Sequence, residues 1–163
     1  MMTEMRKALN NKVMVLGMDA MDPRFTKRCV DKGLMPNTAE FIRRGACRED
    51  LVLLGAVPTV TPPMWTTLAT GAYPNTHGIT CFWNHTIGKS FDELDMGWNS
   101  QQCEAEFIWD AYAKAGKKSI LFNYPTSFPP TSLENVIYVD GTSAEPYNQN
   151  FPDYDKYITA SAA

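Results

Sequence analysis

The 163-residue sequence predicts an α/β fold, a three-layer sandwich around a mainly parallel sheet. Two observations carry this. Short apolar runs of strand length alternate with longer segments of helical character, the order that builds parallel sheets. Several of the helical segments open on proline or close on glycine, the usual asymmetry of helix ends.

Taken in order, KVMVLGMD (12–19) reads as a buried, central strand, because an apolar run without alternation suits a sheet covered on both faces. PRFTKRCVDKG (23–33) reads as a helix from Pro23 to the stop at Gly33, with Asp22 as its N-cap. MPNTAEFIRRG (35–45) reads as a second helix, its apolar contacts supplied by Phe41 and Ile42. REDLVLLGA (48–56) reads as a second strand. A helix follows from Thr61 to about Thr70, and Gly71 stops it. Residues 72–103 read as irregular. EAEFIWDAYAKAG (104–116) is the clearest helix, with Phe107, Ile108, Ala111 and Tyr112 on one face. KSILFN and NVIYVD supply the third and fourth strands. After Asp140 no apolar periodicity remains, so 141–163 reads as an irregular tail behind a core of about 12–140. The tail ends without a cap or stop signal, as expected of the N-terminal part of a larger domain. The sheet is then incomplete on its C-terminal side, and an unpaired edge favours self-association.

Composition narrows the function. The hydrophobic fraction is 44%, enough for a real core. A net charge of −3 and the lack of a long basic run argue against nucleic-acid or anionic-membrane binding, but leave room for a small anionic substrate. Cys29, Cys47, Cys81 and Cys103 form no CxxC pair and read as reduced thiols, which points to the cytoplasm. No apolar run is long enough for a membrane span. Trp65, Trp83, Trp98 and Trp109 have no stacking-array spacing and read as core and loop anchors.

Chemistry concentrates at two places. In VTPPMW, a threonine before a proline is pushed towards extended backbone, as an N-cap requires. The helix it opens would present backbone N–H groups and partial positive charge beside the Thr61 hydroxyl, a candidate anion site. Asp19 stands at the C-terminal end of the first predicted strand, the edge where ligands bind in parallel sheets. A carboxylate there and a hydroxyl at a helix start could share a metal ion.

VMVLGMDAMDP together with PTVTPPMWTTLATGAYPNTHGI resembles the N-terminal signature of the alkaline phosphatase superfamily, in the branch of type I phosphodiesterases and nucleotide pyrophosphatases. Pro58, Thr61, Pro63, Thr70, Gly71, Tyr73, Pro74, His77, Gly78 and Ile79 fall in register with it. The resemblance implies an alkaline phosphatase-like fold and hydrolysis of a small phosphorylated substrate through a phospho-threonine intermediate. It implies Thr61 as nucleophile, Asp19 and Thr61 as ligands of one ion, and two divalent metal ions, zinc, in the whole family site.

The sequence also departs from that pattern. Where the nucleotide pyrophosphatases place an asparagine that holds a phosphoryl oxygen, this chain has Phe82, with Asn84 two residues on as the substitute. His77 reads as a packing or hydrogen-bonding residue and His85 as a loop residue. The chain has two histidines, and neither stands in the Asp-x-x-x-His or Asp-His-Gly strings that complete the family's metal site. At most one weakly held ion, and no turnover by this chain, are therefore expected. The rival reading is a non-catalytic α/β homologue that binds only an anion or a partner.

Overall fold

The computed structural model describes residues 12–52, 55, 57–85, 88–131 and 133–139, as a mixed helix and strand fold with a small parallel sheet. The predicted tail 141–163 and residues 53, 54 and 56 of the second predicted strand lie outside the described residues. The chain divides into two compact units, residues 1–52 and 53–163.

The first unit holds two helices, α1 (Pro23–Asp31) and α2 (Pro36–Arg44). Asp22 caps α1 as expected, its Oδ1 accepting from the Phe25 N–H at 2.5 Å. Both helices begin at proline, and α2 ends against Gly45. The predicted first strand is not formed. Residues 12–18 carry no strand pairing, and Val13, Met14, Val15 and Leu16 are exposed rather than central and buried. Nor are the described residues 48–52 and 55 of the second predicted strand in a strand. An apolar run has strand character in itself, but it becomes a strand only when another backbone row pairs with it.

The second unit holds α3 (Thr61–Thr70), α4 (Pro74–His77), β1 (Trp83–His85), β2 (Leu94–Met96), α5 (Ile108–Lys114), β3 (Ser119–Phe122) and β4 (Val136–Val139). The strands β3 and β4 are the two expected from KSILFN and NVIYVD. They pair in parallel, Ser119 opposite Val136 through Phe122 opposite Val139. Residues 72–103, expected to be irregular, contain α4 and the antiparallel pair β1–β2, with Trp83 opposite Met96.

The core lies on one face of the parallel pair. Leu121 and Tyr138 pack there with Ala69 of α3 and with Phe107 and Trp109 at the start of α5. The Phe107 and Trp109 rings stack at 4.5 Å, and Tyr124 meets the edge of Trp109 at 5.3 Å. The buried side of α5 is not the predicted one. Trp109 is inside, while Ile108, Ala111 and Tyr112 are exposed. The helix is shorter than its sequence pattern suggests, and the aromatics it buries are its N-cap, Phe107, and its second residue, Trp109. The opposite face of the parallel pair shows Ile120, Phe122, Ile137 and Val139, with Ile120 72% exposed. All four cysteines are unpaired; Cys29 and Cys103 are half-buried, Cys47 and Cys81 exposed.

Asp110 carries a strain on this core. Its Oδ1 is buried without a hydrogen-bond partner, and burial pushes its carboxyl above the ordinary value of 3.8, against the weaker pull of Thr131 and Lys114. A carboxyl so raised binds protons more readily folded than unfolded, so its contribution becomes less favourable as pH rises above 3.8. Asp110→Asn removes the desolvated charge and is therefore expected to raise stability at pH 7. The gain should fade towards pH 3, where the carboxyl is protonated in both states. Paired urea melts at the two pH values measure it, and an equal difference at both would reject the account.

Candidate active site

Thr61 opens α3, but one position further in than its sequence implies. Val60 is the N-cap, extended at φ −117° and ψ 159°, and Thr61 is the first helical residue without a side-chain cap bond. The turn closes one residue early because the Met64 N–H reaches the Val60 carbonyl at 3.2 Å. Pro62 and Pro63 then occupy two positions whose N–H groups a helix start would otherwise present. The expected row of backbone donors is reduced, and the Thr61 hydroxyl, the Thr61 N–H and the helix dipole remain. Pro62 and Pro63 are fully buried while Thr61 is half-buried, so the hydroxyl sits at the margin of a fixed helix start.

The segment after β3 braces that helix. The Tyr124 hydroxyl donates to the Trp65 carbonyl at 3.0 Å, and their rings meet edge to face at 5.1 Å. Burial raises the Tyr124 phenol well above its ordinary range, so it remains a donor. Thr66, fully buried, donates to the Pro62 carbonyl at 2.8 Å, and its oxygen lies 3.2 Å from the Thr126 hydroxyl. Thr126 pays for this position with φ 66°, a conformation that a β-branched residue rarely takes. Tyr124 and Thr126 were not marked by any sequence motif; only the contact across the fold reveals them.

The signature turn follows. Gly71 (φ 70°) and Gly78 (φ 79°) end α3 and α4 in the left-handed region, where glycine carries no side-chain penalty. His77 is fully buried and hydrogen-bonded, as the sequence implies. Its Nδ1 accepts from the Ile79 N–H at 3.1 Å, and its Nε2 lies 3.1 Å from the Thr67 hydroxyl. Burial holds its pKa below 6.5, against the opposing effect of the Pro63 carbonyl. The ring is therefore neutral at pH 7. His85 stacks on Phe91 at 4.8 Å.

Asn84 holds the turn before β1. Its Oδ1 accepts from the Thr80 N–H, the Thr80 hydroxyl and the Cys81 N–H at 3.0–3.3 Å. Three donors on one atom fix which end of the amide is oxygen, and leave Nδ2 with a long 3.4 Å bond to Gln102. Phe82 packs against Trp98 at 5.4 Å instead of offering a polar group.

Asp19 lies in the first unit, in an exposed turn before the Ala20 residue at φ 54°. Thr61 and Asn84 lie in the second. Among the described residues no group of three or more His, Cys, Asp or Glu side chains comes together to hold a metal ion. No described helix is long and apolar enough to cross a membrane.

Comparison with protein families agrees with the signature. The family model for type I phosphodiesterase / nucleotide pyrophosphatase matches residues 13–162, from the first apolar run to the last residues of the chain. No curated protein matches. With the proline-opened helix, its glycine stop and the buried HGI histidine all formed inside that span, the chain belongs to the type I phosphodiesterase / nucleotide pyrophosphatase family, a family of phosphoester hydrolases within the alkaline phosphatase superfamily.

Proposed function

We propose that Thr61 is the nucleophile of a phosphodiesterase or nucleotide pyrophosphatase reaction on a small phosphorylated substrate, through a phospho-threonine intermediate. The observation that supports it is a half-buried hydroxyl at the first position of a helix whose start is fixed from below by Pro62, Pro63 and Thr66. In that reaction the Oγ–P bond forms as the bond to the leaving oxygen breaks, the hydroxyl proton passing through solvent to the leaving oxygen. Water then cleaves the Oγ–P bond to release phosphate or a phosphomonoester and restore the Thr61 hydroxyl. The helix start faces the charge that develops on phosphorus. Asn84 enters through Nδ2, the end of its amide that can still donate to a phosphoryl oxygen.

Asp19 and Thr61 are the proposed ligands of one divalent ion, zinc. Their oxygens are of a suitable kind, and a bound ion would lower the hydroxyl pKa. A catalytic zinc takes about three protein ligands, however, and the described side chains do not assemble such a set. By themselves these two oxygens would hold a divalent ion only weakly. The second reading, a non-catalytic homologue that binds only an anion or a partner, rests on the sequence, whose two histidines stand in neither metal-ligand string.

The chain is accordingly expected to hydrolyse bis-p-nitrophenyl phosphate no faster than its Thr61→Ala variant, with or without zinc. Calorimetry with zinc should show weak binding that Asp19→Ala and Thr61→Ala both reduce. Binding indifferent to both substitutions would remove the shared site. Zinc-dependent turnover lost in both variants would mean that other donors complete it. The reduced thiols are consistent with a cytoplasmic setting. The exposed apolar face of β3 and β4 supports self-association. Light scattering at high concentration should give a mass above the monomer; a clean monomer with a cooperative melt would reject it.

A further inference from the structure

His77 is buried completely, yet every polar atom of its ring is used. Nδ1 accepts a backbone N–H, so it carries no proton, and the ring must be the Nε2–H tautomer. Nε2 then donates towards α3, where the Thr67 hydroxyl and the Pro63 carbonyl stand. The His77 carbonyl takes the Glu104 N–H at 3.0 Å. One residue thus ties the 77–79 turn, the first turns of α3 and the 102–104 segment together. We infer that His77 is a positioning residue for the start of α3, that its neutral ring is the fastener, and that gaining a proton releases it.

The chemistry of release is simple. A proton on Nδ1 would face the Ile79 N–H, donor against donor, in a site without water access. The turn would have to open. The groups around the ring do not offset this. α3 contributes no charged side chain. The 102–104 segment contributes the Cys103 thiol, held neutral by burial, and Glu104, whose side chain passes Gly78. Glu104 favours a charged ring, but burial dominates and keeps the folded pKa below 6.5. The unfolded chain therefore takes the proton first, and stability is lost as pH falls below 6.5.

That the positioned group is the nucleophile rests on the reading of Thr61 above; the fastener itself does not. The test is nitrogen NMR of the labelled full chain, which has two histidines and so two imidazole patterns. His77 should show an unprotonated Nδ1 and a protonated Nε2 at pH 7.5. On acidification its titration should have a midpoint below 6.5, and the amide signals of Ile79, Glu104, Thr67 and Met64 should shift with that midpoint. His77→Asn keeps an acceptor for Ile79, and His77→Gln keeps a donor for α3; both should abolish the coupled shift. If acid unfolds the chain outright, the wild type should lose more melting temperature between pH 7 and 5.5 than His77→Gln. An Nδ1–H tautomer, a midpoint at or above 6.5, still amides, or equal acid sensitivity in His77→Gln each overturns the inference. Coupled shifts alongside zinc binding indifferent to Thr61→Ala would keep the fastener and discard Thr61 as a metal ligand.

Discussion

Trp109→Ala is expected to cost about 3–5 kcal/mol, the range for removing a buried aromatic. Trp109 is 4% exposed and stacks on Phe107 at 4.5 Å. Its edge contact with Tyr124 links it to the residue that braces α3. Tyr138, in the same cluster, accepts the Thr131 N–H at 3.2 Å, and burial pushes its pKa up to about 12. Truncation would leave a cavity in the cluster and remove both ring contacts together. Against the about 5–15 kcal/mol that holds an ordinary domain, that is a large share. The effect should reach α3 through Tyr124 and appear as lost amide protection in 64–70. Trp83→Ala, on the half-exposed side of β1, should stay within about 0.5 kcal/mol as the control. Urea midpoints measure both; a Trp109 loss as small as the control's would show that this cluster is not the core.

Gly97→Ala should be the second severe change, at about 3 kcal/mol, the upper part of the overpacking range. Gly97 is buried at the end of β2, and its N–H donates to the Phe82 carbonyl at 2.8 Å. An added Cβ would overlap the Cys81 carbonyl oxygen, a backbone atom that cannot step aside alone. The Phe82–Trp98 contact and the Asn84 turn would both be displaced. Gly55→Ala is the matched comparison, because there the added carbon meets only the flexible end of Met64. Hydrogen exchange at 83–85 should accelerate in the first variant and not in the second. Equal behaviour of the two would mean that the β1–β2 pair has room to spare.

What was legible in the sequence was whatever local chemistry decides. The Asp22 cap, the prolines opening α1, α2 and α3, and the Gly71 stop follow from backbone sterics within a few residues. The strands β3 and β4 were legible because their runs are short and apolar, although the parallel pairing shows only in three dimensions. The run at 12–18 has the same character but no paired row, and no local signal distinguishes the two cases. The β1–β2 pair was missed because each strand is three residues long, too short for alternation to register. For the site, Thr61 and His77 announced themselves through a motif. Its first helical position was missed, since Val60 as cap depends on where the Met64 N–H finds its acceptor.

The four thiols are arranged in a way that serves measurement. Each unit carries one exposed and one half-buried cysteine: Cys47 with Cys29 in the first, Cys81 with Cys103 in the second. Burial raises the Cys103 thiol, which slows its attack on alkylating reagents at neutral pH. Brief labelling thus favours Cys47 and Cys81, one probe per unit, without an engineered attachment point. A pair of spin labels or fluorophores on them becomes a molecular ruler between the Asp19 half and the Thr61 half of the chain. Its reading in the presence and absence of zinc would report the geometry of the proposed site without any substrate turning over.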